Sequence, residues 1–299
     1  MAKKKNAAQR RAEQEKQRKS NWQEKPKQAA SSAPGKRESV PRKRDSVPEV
    51  QPVYEKIPAP RLEHKPAAKL ADIDLSKDFE LRVGLLSPLH LGSGQADVNV
   101  DAQIIHDKYG LPYFPGRRLK GLLYESGVEV AEMAELSGLP LFTGAQLDEL
   151  FQRGSLGQVQ LDLSNLYLEG SEEMRAEWGY LEERYPGLFR PEDVLESYTS
   201  LRYQTKIDAE TGTAADTSLH NMQVLDEGLI FTGSLSLKNG DMKSLAILAL
   251  ALRNLTQAGL KRSRGFGHLA CTLEQGGRDV MLPLIAWAAA EAKEGMANG

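Results

Sequence analysis

The sequence of 299 residues holds a single cysteine, Cys271. An internal disulfide is therefore excluded, as is a cysteine-built zinc cluster, and such sparing use of cysteine fits a reducing compartment. Long apolar runs are also lacking. The two longest, Leu245 to Leu252 and Val280 to Ala290, fall short of the ~20 residues a membrane span needs, and Pro283 interrupts the second. The basic start of the chain is followed by no apolar segment of the kind a secretory signal carries. These absences lead us to expect a soluble cytoplasmic protein with no membrane partner. No His-x-x-x-His pair or carboxylate cluster marks a built-in metal site. Neither a phosphate-binding GxxxxGKS/T loop nor a strand-bound GxGxxG is present, so no organic cofactor is expected.

What is there is an uneven distribution of charge. The formal net charge of −2 hides it: residues 1–70 carry 19 Lys/Arg against 8 Asp/Glu, leaving 20 against 33 for residues 71–299. The first segment is rich in Lys, Arg and Gln, then in proline from Pro34 to Pro66. A chain of that composition cannot bury enough apolar surface to offset its conformational entropy. Residues 1–70 are thus expected to form a disordered basic arm, serving either as a solubilising tail or as a tether to nucleic-acid phosphates. Residues 71–299 are expected to fold as one domain.

Within that domain, residues 79–91 alternate apolar and polar side chains and predict a strand, as do 156–168, 198–207, 222–237 and 268–273. Residues 98–107 predict a further extended segment. Pro115-Gly116 opens a helix reaching about Glu135, residues 170–192 form a charged helical insertion, and residues 242–257 form an amphipathic helix ending at Gly259. A short helix from Pro283 to Met296 closes the chain. Strands and helices alternate without the regular rhythm of a parallel sheet, so the class is α+β with antiparallel strands.

Three glycine-bearing loops carry the chemistry. The first is Ser87-Pro88-Leu89-His90-Leu91-Gly92-Ser93-Gly94. The second runs from Gly110 to Gly121 and contains Pro115-Gly116-Arg117-Arg118-Leu119-Lys120. The third is Gly259-Leu260-Lys261-Arg262-Ser263-Arg264-Gly265-Phe266-Gly267. Glycine lets backbone approach a phosphate closely, interleaved Arg and Lys neutralise its charge, and an aromatic such as Phe266 can stack on a base. Three such loops in one domain, two of them basic, point to a polyanion. The candidate polyanion-binding residues are His90, Gly92, Gly94, Arg117, Arg118, Lys120, Lys261, Arg262, Arg264 and Phe266, which the resemblance described below makes RNA-binding candidates. Plainer readings stand beside these: His90 hydrogen-bonded within its own loop, Lys120 at a helix start, His106 on the surface, Asp208 and Asp216 as loop residues. A nucleotide-binding enzyme using the same glycines is a remote alternative.

These loops, in this order, resemble the motifs of the RAMP superfamily of type III CRISPR effector complexes. The first loop followed by the PGRRLKG run resembles that family's N-terminal signature, and the third loop resembles its C-terminal glycine-rich signature. The stretch from Thr205 to Leu219 is similar to the family's insertion before the third core strand. The resemblance implies an RRM-like (ferredoxin-like) fold with insertions, binding of CRISPR RNA and target RNA, and a place among other RAMP subunits and a large polymerase-like subunit. It also implies, by position, that a catalytic aspartate falls at Asp101, with Asp97 and Asp107 as alternatives. The chain would then be either an endoribonuclease aided by Mg2+ or another divalent cation, or a non-catalytic scaffold or capping subunit. It departs from the family at Arg117-Arg118, where serines are common, and at Tyr124, where an arginine is common.

Overall fold

The computed structural model describes residues 62–63, 65–94, 102–139, 141–153, 158–188, 190–204 and 220–297. All belong to the second of two compact units, Glu55–Gly299. The expected basic arm up to residue 61, the aspartates Asp97, Asp101, Asp208 and Asp216, and the Thr205 to Leu219 insertion lie outside the described residues.

The strand β1 (Phe79–Leu85) sends Phe79, Leu81, Val83 and Leu85 to the interior and Glu80 and Arg82 to the other face, as period-two alternation requires. It is central to an antiparallel sheet, paired on one side with β7 (Ile230–Lys238) and on the other with β8 (Leu269–Gln275). Beyond β7 lie β3 (Gln160–Leu163) and β4 (Leu166–Leu168), which share that edge one after the other; β2 (Tyr113–Phe114) pairs β4, and β9 (Arg278–Asp279) pairs β8. The segment 156–168, read as one strand, is broken at Ser164-Asn165 because the Ser164 hydroxyl takes the Ser234 amide.

The helices α1 (Gly116–Leu136) and α5 (Met242–Asn254) connect these strands and lie side by side, and α6 (Met281–Ala297) packs on α5 and β8. Leu119 and Leu123 of α1 join Leu245, Leu248 and Leu252 of α5 on Phe231 and Leu235 in one apolar core. Truncating any one of these leucines costs ~2–5 kcal/mol. The order β1–α1–β3/β4–β7–α5–β8, with β1 between β7 and β8, is the βαββαβ arrangement of the RRM-like, ferredoxin-like fold. The short α2 (Gly144–Leu150) starts at a Thr143–Gln146 capping box. The charged insertion supplies α3 (Ser171–Arg184) and α4 (Pro191–Glu196).

The segment 222–237, also read as one strand, divides at the turn Asp226–Leu229. Its first part, β6 (His220–Leu225), leaves the main sheet and pairs with β5 (Thr199–Gln204) as a separate two-stranded ribbon. Residues 102–107 make isolated bridges, Gly92 with Ile104 and His106 with Pro112, and no regular strand. The chain is already tied to the body before Asp72. Ala67 bridges to Asp279, the Ala68 amide donates to the Asp279 carbonyl, and Leu62 lies over Gly84 of β1.

Candidate nucleic-acid interface

The end of β1 and the start of β8 are neighbours in an antiparallel pair, so the first and third loops leave the sheet at the same end. Their backbones are stitched together: the His268 carbonyl accepts from the Leu86 amide, the Pro88 carbonyl accepts from the Gly267 amide at 2.8 Å, and the Ser87 hydroxyl accepts from the His268 amide. The third loop closes on itself where the Ala258 amide donates to the Gly267 carbonyl. Gly267 is at φ +78°, and a Cβ there would sit 1.9 Å from the Ala258 oxygen. Gly259, at φ +76°, brings that loop so near the first that a Cβ would lie 2.6 Å from the His90 carbonyl. The second loop arrives through Arg118, whose guanidinium donates to the Gly92 carbonyl at 3.1 Å. Three segments far apart in sequence thus meet at one end of the sheet.

Their side chains divide into two groups. Arg117, Arg262 and Arg264 are exposed and make no hydrogen bond or ion pair with any described residue; Arg262 and Arg264 ride on a 3-10 turn. Lys261, at φ +61°, reaches the Gln204 side chain at the end of β5. Burial lowers the Lys261 proton affinity, and the Arg264 charge lowers it further. Phe266 is half-buried. Lys261 and Arg264 stand close enough to repel one another, and cations so placed, with no carboxylate paired to them among the described residues, favour an incoming phosphate.

The second group faces inward. His90 is 3% exposed and donates Nδ1–H to the Gln223 carbonyl at 2.7 Å, a carbonyl being able only to accept. Burial depresses its pKa, with Lys261 and Arg118 adding to the effect. The ring is an internal strut between the first loop and Gln223. Lys120 is likewise turned to the protein: Nζ donates to the Leu161 carbonyl at 2.8 Å and to Gln152, and burial lowers its pKa. It fastens α1 to β3 through the Leu161 carbonyl. Gly92 serves packing, since a Cβ would stand 2.8 Å from His90 Nε2, whereas Gly94, at φ +82°, opens onto free space. At the α1 N-terminus the Gly116 amide is taken by the Asn165 side chain at 2.9 Å.

Asp107, one alternative to Asp101, is committed. Its Oδ1 accepts from the Tyr109 and Leu111 amides, and its Oδ2 pairs with Arg175 at 2.8 Å. Asp101 and Asp97 lie outside the described residues, within the stretch 95–101; on either side of it the Ser93 amide donates to the Gln103 carbonyl and the Gln223 amide to the Ala102 carbonyl. Among the described residues no group of His, Cys, Asp or Glu is arranged to hold a metal ion.

Gln223 is the residue that the sequence did not announce. Its backbone oxygen holds His90, its Oε1 takes the Ile104 amide, and its Nε2 donates to Thr199 Oγ1. It is 7% exposed and joins the first loop to the β5–β6 ribbon. The only signal was a lone glutamine inside the apolar run Met222-Gln223-Val224-Leu225.

A model of the RAMP superfamily matches residues 83–270, a span that takes in all three loops. Among solved structures, a chain from the cryo-EM structure of the Type III-B Cmr-beta bound to cognate target RNA is similar with a TM-score of 0.48 at 11% identity, over 70% of this chain and 99% of that one. A chain from the cryo-EM structure of the Type III-B Cmr-beta in the apo state gives 0.46 at 10% identity, over 68% and 99%. No curated protein matches the sequence.

Proposed function

Because this chain belongs to the RAMP superfamily, we propose that it is an RNA-binding subunit of a type III CRISPR effector complex, holding CRISPR RNA against its clustered loops beside partner subunits. The observation that carries the reading is the convergence of the three loops, which leaves Arg117, Arg262 and Arg264 exposed and unpaired among the described residues. Phosphates are what such a cluster recognises, so the contacts position RNA without reading its sequence. The open face of the sheet carries Glu80 and Glu169 and repels phosphates, which favours the loop end for RNA. On the cleavage reading, Asp101 orients or accepts a proton from the RNA 2′-hydroxyl, the nucleophile already present in RNA. A divalent cation such as Mg2+, when bound, would supply charge stabilisation to that step.

Reconstituted complex with guide RNA and matched target tests both levels. Arg262→Ala with Arg264→Ala should weaken RNA binding several-fold, reduce the salt slope by about 2, one per phosphate contact, and leave Tm unchanged. Full affinity across salt in the double variant would leave the loop a mere turn and sink the reading. Asp101→Ala and Asp101→Asn should keep guide binding and lose target cleavage. Wild-type complex that binds target and never cuts it would instead establish the scaffold role, and cutting by the alanine variant would move the search to Asp97.

A further inference from the structure

The central sheet has an open border along β8. On the side away from β1, β9 pairs only Glu274 and Gln275. Nearer the start of β8, the Leu269 amide donates to the Thr256 carbonyl and the Leu273 carbonyl accepts from the Val280 amide. Alternate residues of a strand turn their amide and carbonyl to the same side, so those of Cys271 point outward between these two. No described residue bonds them. A groove of about 650 Å3 opens there, lined by Gly84 of β1, Ala270 and Cys271 of β8, and Leu282 and Ile285 of α6. Cys271 is half-buried, while Leu282 is 56% exposed. A half-buried amide and carbonyl without partners are costly, and an apolar strand edge invites a further strand.

The chain's own N-terminal side enters this groove. Leu62 lines it, with its side chain over Gly84. The compact unit to which Leu62 belongs begins at Glu55, seven residues ahead of it. Fully extended, that stretch reaches about 23 Å, enough to run beside the roughly 17 Å from Leu269 to Leu273. Its order, Glu55-Lys56-Ile57-Pro58-Ala59-Pro60-Arg61, suits a strand paired on one side. Pro58 and Pro60 have no amide hydrogen, whereas Ile57, Ala59 and Arg61, which alternate with them, keep theirs. Such a strand donates along a single edge, the setting in which sheets tolerate proline.

We propose that residues 55–61 of the same chain dock in this groove as an added edge strand beside β8, with the 57, 59 and 61 amides toward β8 and the two prolines outermost. In an extended chain positions 58, 60 and 62 share one face and 57 and 59 the other. With Leu62 on the Gly84 side, Ile57 and Ala59 fall on the side of Leu282 and Ile285. The added strand bonds the Cys271 backbone and covers the apolar groove. It also ends the sheet in an edge that lacks the donors a further strand would need, which guards against edge-to-edge pairing. The contact uses no residue of the loop cluster, so it stands or falls separately from RNA binding.

The test is amide hydrogen exchange read residue by residue by NMR on the RNA-free, full-length chain. The Cys271 amide should be protected in the wild type. Ala59→Pro removes a donor from the β8 side and should speed its exchange about tenfold or more. Lys56→Pro adds a third proline on the outer side and should leave it unchanged. Amides of β1, bonded to its neighbouring strands, are the internal reference and should exchange alike in all three proteins. Ile57→Asp keeps every amide but sets a charge against Leu282 and Ile285; it too should open Cys271, and it carries the test if the proline variant disturbs β1. An unprotected Cys271 amide in the wild type overturns the proposal, as does equal behaviour of Ala59→Pro and Lys56→Pro. Protection that fades on dilution would mean that a second copy supplies the strand, and overturns docking within one chain.

Discussion

At the scale of the residue, His90 shows how a side chain in a glycine-bearing loop becomes part of the protein's interior. Its Nδ1–H is spent on the Gln223 carbonyl and its ring fills the space beside Gly92. Burial disfavours the imidazolium and so lowers its pKa below the usual value near 6.5. The unfolded chain takes up a proton near that usual value, while the folded chain does so only at lower pH. Below about pH 6.5 the unfolded state therefore binds more protons, and stability falls as the medium is acidified. Above it the contribution is complete. His90→Gln keeps a donor without a titrating group. It should be less stable than wild type at pH 7.5, and the difference in Tm should shrink as pH is lowered to 5. Two melting curves that remain parallel across that range would show that His90 does not titrate on unfolding. Lys120 follows the same logic: a cation whose stem crosses α1 to reach the Leu161 carbonyl is a fastener, and only the partners made by folding reveal it.

At the scale of the element, the glycines mark where one segment crosses another at close range. Gly265 and Gly267 both have positive φ, +80° and +78°, yet only Gly267 lies against backbone, 1.9 Å from the Ala258 oxygen to a built Cβ. Asparagine tolerates the left-handed region better than other side chains. Gly265→Asn should accordingly be nearly neutral in Tm and in RNA affinity. Gly267→Asn cannot relieve an overlap with backbone, and it should cost more than about 1 kcal/mol and release the third loop from Pro88, lowering RNA affinity toward that of the Arg262/Arg264 double variant. Equal behaviour of the two asparagine variants in thermal melts and in RNA titrations would refute this division. The β5–β6 ribbon belongs to the same scale. It is attached to the loop cluster through Gln223 and through Gln204, which receives Lys261.

At the scale of the molecule, the boundary of the folded body falls earlier than composition indicates. Proline, lysine and alanine in residues 62–70 look like a continuation of the basic segment, but Leu62 covers Gly84, Ala67 bridges to Asp279, and Leu70 packs on the core. These contacts lie more than 190 residues away in the chain for Ala67, and no local pattern encodes them. Deleting residues 1–54 should leave Tm unchanged, in keeping with a segment too polar to form a core. Deleting residues 1–70 should lower it, by stripping the cover from Gly84 and the pairing from β9. Equal melting temperatures for the two truncations would show that residues 62–70 add nothing to the body.

The amino-acid sequence by itself determined the α+β class, the helices α1, α5 and α6 within a few residues, and the three glycine-bearing loops as the segments to look for together. Periodicity, helix caps and charge are local properties, readable without knowing what lies across the sheet. Only the tertiary structure decided how 222–237 splits between two sheets, because the turn at Gly228 serves a partner strand that is distant in sequence. It alone separated Arg117, Arg262 and Arg264, which face outward, from His90 and Lys120, which face inward. All five are basic side chains spread over the three loops. Which of them meets solvent depends on whether folding brings a carbonyl within reach, Gln223 for His90 and Leu161 for Lys120, and a buried cation or imidazole N–H without such an acceptor would be too costly to keep.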